Sequence, residues 1–190
     1  MSTDRGDDAE DCAPRPTWLL LAYRIPSEPS RLRATVWRRL KSHGAIYLQN
    51  SVAALPASAS NERALRTLRA EIGELGGTAS LLRAEALVGG ADISAAYNAA
   101  RDDEYEEIID KCGDFLAEIE KETAHEHFSY AELEENEEDL TKLRRWLDKV
   151  TDRDTLSAAG CAAAEQALVA CVTALEGFAA HVYAADDDGS

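Results

Sequence analysis

Apolar positions along the chain change their rhythm once. Up to about residue 88 they fall in short runs separated by two helical stripes; from residue 91 they recur every three or four residues. The run Trp18 to Ile25 is short and stops at Pro26, the signature of a buried strand. Arg31 to Ser42 follows as a helix. Ser27 or Ser30 is its candidate cap, Leu32, Val36 and Leu40 form its stripe with Trp37 beside it, and Gly44 follows its end. Ala45–Gln49 and Val52–Pro56 flank Asn50-Ser51 and read as a hairpin. Asn61 to Leu75 is a second helix, capped by Ser60 or Asn61, with Ala64, Leu65, Leu68, Ile72 and Leu75 on one side and Gly76-Gly77 as its stop. Thr78 to Val88 holds the last strand, ending near Ala86.

The order strand, helix, strand, strand, helix, strand predicts an α+β unit, a ferredoxin-like βαββαβ sandwich with two helices on one face of an antiparallel sheet. A winged helix would place more helices before the hairpin, and the opening apolar strand argues against it. The second half predicts helices only. A short helix spans 91–100, with Asp92 as candidate cap, and a second spans 101–122 with Tyr105, Ile109, Cys112, Leu116 and Ile119 as a heptad-like seam. Ser129 with Glu132 forms a capping box for the next helix, whose face is Leu133, Leu140, Leu143, Leu147 and Val150. A last helix, from about Ser157 to Tyr183, carries Ala164, Leu168, Cys171, Leu175, Phe178 and Val182. These helices form either a long-helix bundle or coiled-coil-like arms. The predicted organisation is therefore a disordered acidic tail over 1–16, a sheet domain over 17–90, a helical domain over 91–184 and a disordered tail over 185–190.

Charge sharpens this division. The chain of 190 residues has a net charge of −16. Residues 15–90 carry 11 basic and 5 acidic side chains, whereas residues 91–190 carry 8 basic and 26 acidic ones. A chain this acidic repels phosphate on average, so a nucleic-acid face has to be a local patch. Four cysteines without C-x-x-C spacing exclude a disulfide scaffold and argue against structural zinc. The longest early apolar run, Trp18 to Tyr23, is too short for a signal segment or a membrane span, and no other stretch is read as a span. The expected location is the cytoplasm, with no membrane partner.

Several segments resemble a known family. Trp18-Leu19-Leu20-Leu21-Ala22-Tyr23-Arg24-Ile25-Pro26, continued by Ser30-Arg31-Leu32-Arg33, Val36-Trp37-Arg38-Arg39-Leu40-Lys41 and Gly44 to Gln49, resembles the start of the ChrB family, the N-terminal domain of chromate-resistance proteins. Arg101-Asp102-Asp103-Glu104-Tyr105-Glu106-Glu107-Ile108, Phe128 to Asp139, Arg144-Arg145-Trp146-Leu147 and Arg153-Asp154 extend it along most of the chain. After Arg153-Asp154, Thr155 and Leu156 stand where family members often carry aromatic residues. The resemblance implies a chromate-responsive regulator of a chromate efflux operon, present here as a stand-alone N-terminal half. It implies DNA and chromate as partners.

The residues suited to those roles are cations. Arg31, Arg33, Arg38, Arg39 and Lys41 fall within eleven residues of one helix, about 15 Å of its length. Arg31, Arg38 and Lys41 share a side and suit adjacent phosphates on duplex DNA. The competing reading is that these arginines only solvate the flanks of a sheet-packed helix. For an oxyanion the candidates are Arg24, Arg144, Arg145 and Arg153, since a dianion needs several fixed cationic donors. His125 and His127 are weak metal candidates; no metal and no cofactor is expected. There is no G-x-S-x-G, no H-E-x-x-H and no G-x-x-x-x-G-K. The small CRISPR-associated nuclease fold, which the predicted core also resembles, uses an Asp at the end of its first strand; this strand ends Tyr23-Arg24-Ile25. No catalytic residues are assigned. The alternative to the regulator is a non-enzymatic protein–protein binding module of a chromate-resistance system, with a homodimer or protein partner met through the acidic helices.

Overall fold

A computed structural model describes residues 16–26, 28 and 30–188. Residues 1–15 of the expected tail over 1–16, which include Cys12, and the alternative cap Ser27 lie outside the described residues. The elements run β1 (Trp18–Arg24), α1 (Arg31–Ser42), β2 (Ile46–Gln49), β3 (Val52–Pro56), α2 (Ala59–Glu74), β4 (Thr78–Ala84), α3 (Gly90–Ala124), α4 (Tyr130–Thr151) and α5 (Cys161–Asp188). A mixed α/β sheet domain is thus followed by a helical bundle.

The sheet has the order β2-β3-β1-β4, and every pairing is antiparallel. Leu21 stands opposite Ala53 on one side and Leu81 on the other. Leu19 and Leu21 join Val36 and Leu40 of α1 and Leu65, Leu68 and Ile72 of α2 in one apolar core. Full burial of each such side chain contributes about 1.5–3 kcal/mol. Strand alternation turns Trp18 to the opposite face. There it meets Tyr97 of α3 edge-on, with ring centroids 5.9 Å apart. The long helix therefore begins as a cover on the sheet and continues into the bundle.

Local chemistry moves several predicted boundaries. Ser58, not Ser60 or Asn61, caps α2: its hydroxyl accepts from the Asn61 backbone N–H at 3.1 Å, while the Asn61 side chain donates to the Pro56 carbonyl. Ser30 stands at the α1 N-cap position, but its side chain makes no capping bond. β4 stops at Ala84 because its partner β1 begins at Trp18, leaving no backbone to pair with Glu85 and beyond. The predicted break at residue 100 is absent. α3 is one helix of 35 residues, since nothing between Ala100 and Arg101 interrupts helical hydrogen bonding, and Gly89 rather than Asp92 precedes it. The Ser129 cap on α4 is as expected, accepting from Glu132 N–H at 3.2 Å.

The bundle buries Tyr105, Ile108, Cys112, Phe115 and Ile119 of α3, whereas the predicted seam residues Ile109 and Leu116 lie half-buried at its margin. Both sets have three-and-four spacing; the approach of α4 and α5 selects between them. Leu133, Leu140, Leu143, Leu147 and Val150 of α4 and Ala164, Cys171, Leu175, Phe178 and Val182 of α5 complete this core. α5 starts at Cys161 rather than Ser157. Ser157 adopts a left-handed φ of 58°, and the Asp154 carboxylate accepts from Ala158 N–H, so the chain is held in a turn there. At its other end α5 continues through Asp188, overturning the predicted tail over 185–188. Gly189 and Ser190 of that expected tail lie outside the described residues.

Candidate functional site

The motif Arg101-Asp102-Asp103-Glu104-Tyr105 forms a buckle between the sheet domain and the bundle. Arg101 is 1% exposed. Its Nη1 donates to the Gly44 carbonyl at 2.8 Å, and its Nε and Nη2 donate to Glu104 at 3.1 and 3.3 Å. Its guanidinium lies 5.0 Å from the Tyr97 ring centroid. From the α4–α5 connection, Arg153 donates to the same Glu104 carboxylate at 2.7 Å and to the Ser42 carbonyl at 3.1 Å. Tyr97 donates its hydroxyl proton to the Arg153 carbonyl. Asp102 accepts from Gly160 N–H at 2.7 Å, and Tyr105 donates to Asp154 at 3.1 Å. Gly44 takes a left-handed φ of 77°, and a Cβ there would collide with the Arg101 guanidinium. Of the predicted oxyanion ligands, Arg153 is therefore committed to an internal carboxylate.

The five cations of α1 are exposed but separate into three groups. Arg39 pairs with Glu71 of α2 at 2.9 Å. Arg31, Arg38 and Lys41 share the outward side, consistent with their spacing. Arg33 turns instead into a groove. The remaining oxyanion candidates do not converge. Arg144 lies in a shallow groove between α4 and α5 beside Glu137 and Glu176, carboxylates that disfavour an anion. Arg145 is exposed on α4.

The Arg33 groove was not foreseen as a unit. It has a volume of about 540 Å³ and is lined by Tyr23, Arg24 and Ile25 of β1 and its exit, Arg33 and Trp37 of α1, Tyr47 of β2, and Asn50 and Ser51 of the hairpin turn. The Tyr23 and Tyr47 hydroxyls are 3.0 Å apart. Burial, then the bond to Tyr23, pushes the Tyr47 phenol above its ordinary range, so it stays neutral. Trp37 is 50% exposed. The left-handed Ser51, φ 67°, closes the turn, and its carbonyl accepts from Tyr23 N–H at 2.9 Å. The available signal was the set of aromatic residues at 23, 37 and 47: pairing of β1 with β3 and β3 with β2 brings Tyr23 and Tyr47 to one end of the sheet, where α1 adds Trp37.

At the α3–α4 turn the rings of His125 and His127 are 5.6 Å apart. His125 Nδ1 contacts the Lys121 carbonyl at 2.7 Å and His127 Nδ1 contacts Glu122 at 3.1 Å. Burial pushes the Glu122 carboxyl up, but the His127 bond and the charges of His127 and Lys121 outweigh it and hold the group below its ordinary range. Among the described residues no group of three or more His, Cys, Asp and Glu side chains is placed to hold a metal ion. Cys112 and Cys171 are buried, and Cys171 Sγ donates to the Cys112 carbonyl at 3.5 Å.

One helix corrects the expectation that no stretch resembles a membrane span. Cys161–Asp186 of α5 is long and apolar enough by length and composition, with a mean hydropathy of 1.5 over its most apolar 18 residues. One face of α5 packs against α3 and α4, while Ala162, Val169, Ala170, Gly177 and Ala180 are exposed.

A family model described as "Protein ChrB, N-terminal" matches residues 33–189. Comparison with curated proteins and with solved structures finds no match.

Proposed function

Because the chain belongs to the family of ChrB N-terminal domains, we propose that it serves a chromate-resistance system as a non-enzymatic protein-binding module. It pairs with a second copy of itself through the outward face of α5. The observation that carries this reading is the mismatch between composition and burial in that helix. Only 22% of its most apolar 18-residue window is buried. Apolar surface left open in this way marks an interaction face. Ala162, Ala170, Gly177 and Ala180 are small, so two backbones can approach closely, and Val169 supplies a protruding contact at 64% exposure. The neighbouring bundle helices α3 and α4 are dense in carboxylates. In a chain of net charge −16, this face lets two copies meet without opposing acidic rows.

Analytical ultracentrifugation at low and high salt tests the pairing. The dimer fraction should rise with salt, as screening relieves repulsion between acidic copies. Val169→Asp combined with Gly177→Asp should leave a monomer of unchanged helicity. A wild-type monomer at all concentrations and salts overturns self-pairing. Partition into phosphatidylcholine vesicles would assign the face to lipid instead.

Within the same reading the sheet domain, residues 17–90, is ferredoxin-like, supported by its element order and antiparallel strand order; residues 91–184 form the second domain. A cytoplasmic location fits the free thiols of Cys112, Cys161 and Cys171.

A second reading, duplex DNA binding by α1, is favoured by Arg31, Arg38 and Lys41, which make no ion pair among the described residues. Replacing all three with Ala should flatten the salt dependence of DNA affinity by about 3 units of slope. If chromate regulates that complex, it should release DNA at concentrations where sulfate does not.

A further inference from the structure

We propose that the groove between α1, the end of β1 and the β2–β3 turn binds a phosphorylated nucleoside, with its base against Trp37 and its phosphate between Arg24 and Arg33. This inference is independent of pairing through α5.

Three features converge on that chemistry. First, no carboxylate lines the groove among the described residues, although the chain holds 36 Asp and Glu residues. Arg24 and Arg33 make no ion pair or side-chain hydrogen bond among the described residues, unlike Arg39, Arg101 and Arg153. Two unpaired guanidiniums facing one cavity suit a dianion, since each presents a planar fork to oxygen. Second, Trp37 stands one helical turn from Arg33 and leaves half its surface open at the groove. An exposed indole beside cations is a stacking platform for a nucleobase. Third, the remaining wall is polar in a way that a base edge can use. The Tyr23–Tyr47 hydroxyl pair, the Asn50 amide and the Ser51 hydroxyl supply both donors and acceptors.

Size separates this ligand from simpler ones. A cavity of about 540 Å³ lies within the range of small-molecule sites, and a tetrahedral oxyanion would occupy only its arginine end. A phosphorylated phenol would also satisfy the arginines and Trp37, but has no ring donors and acceptors for the Asn50 amide and the Ser51 hydroxyl. The heterocycle uses the whole lining. The nucleotide unit comes either from a free mononucleotide or from a single strand, and the two sources are separable by experiment.

Tryptophan fluorescence gives a local readout, because of the three tryptophans Trp18 is buried, Trp146 packs against the bundle core and Trp37 opens onto the groove. The full chain is titrated with adenosine 5′-monophosphate, adenosine, inorganic phosphate, a short oligodeoxyadenylate and a phosphotyrosine peptide, with calorimetry alongside. Adenosine 5′-monophosphate should quench saturably, adenosine should bind about tenfold or more weakly, and phosphate alone should not quench. Arg24→Gln and Arg33→Gln should each weaken binding about tenfold, and Trp37→Ala should do the same by calorimetry. Arg31→Gln, on the outward side of α1, should leave affinity unchanged. Circular dichroism confirms that each variant is folded. Tighter binding of the oligonucleotide, with the same response to the variants, assigns the unit to a strand; equal affinity assigns it to a free nucleotide. Absence of saturable quenching at millimolar ligand overturns the proposal. So does tighter binding of the phosphotyrosine peptide, or an Arg31→Gln loss equal to that of Arg33→Gln.

Discussion

Glu104→Ala tests how the sheet domain and the bundle are held together. The Glu104 carboxylate receives four hydrogen bonds, two from Arg101 and two from Arg153. Its removal leaves Arg101, 1% exposed, with a full charge and the Gly44 carbonyl as its remaining acceptor. Arg153 is 19% exposed and regains water more easily. Stripping the partner from a buried cation costs about 3–5 kcal/mol, and the partial relief at Arg153 favours the lower half of that range. For a chain of this size the loss corresponds to roughly 6–16 °C in Tm. The assay is urea denaturation followed by far-ultraviolet circular dichroism and by tryptophan fluorescence in single-tryptophan variants. Trp18 reports on the sheet domain and Trp146 on the bundle. In the parent chain the two transitions should coincide; in Glu104→Ala they should separate. Arg153→Ala should cost less, and the double variant should show coupling of about 1 kcal/mol or more. A Glu104→Ala protein within about 1 kcal/mol of its parent, or additive behaviour of the pair, would refute the reasoning.

Gly44→Ala should cost about 2–4 kcal/mol in the same assay, because its Cβ meets the Arg101 guanidinium and lies 2.9 Å from Arg153 Cδ at a left-handed φ; a neutral result would show that the buckle can move. Alkylation of the native protein at pH 8 should modify Cys161 and spare Cys112 and Cys171, since burial pushes the Cys171 thiol up to about 12 and raises Cys112 as well. Mass spectrometry finding Cys171 labelled as fast as Cys161 contradicts that packing. His43 is held below the ordinary histidine range by burial, and further by the charges of Arg39 and Arg153. The unfolded chain therefore binds more protons than the folded one around and below that range, so stability should fall on acidification through this window and His43→Gln should flatten the slope.

Much of the architecture was legible because it depends on local periodicity. Leu133, Leu140, Leu143, Leu147 and Val150 form a stripe in any helix that contains them, and Ser129 with Glu132 marks a helix start without reference to the rest of the chain. The short apolar runs around Asn50-Ser51 likewise prescribed a hairpin. Folding was needed wherever two local solutions were equivalent or a group had to find a distant partner. The α3 seam had two three-and-four registers, and the positions of α4 and α5 chose Ile108 and Phe115 over Ile109 and Leu116. Arg24, Arg33 and Arg153 look alike in sequence, each a cation in a run of mixed polar and apolar residues, yet one reaches Glu104 across 49 positions and the other two open onto the aromatic groove. Side-chain chemistry is a property of the residue, but its availability depends on which charges the tertiary fold brings within hydrogen-bonding distance. Charge pairing is short-ranged in space and indifferent to separation along the chain, so only the assembled structure separates the cations that hold the protein together from those left for a ligand.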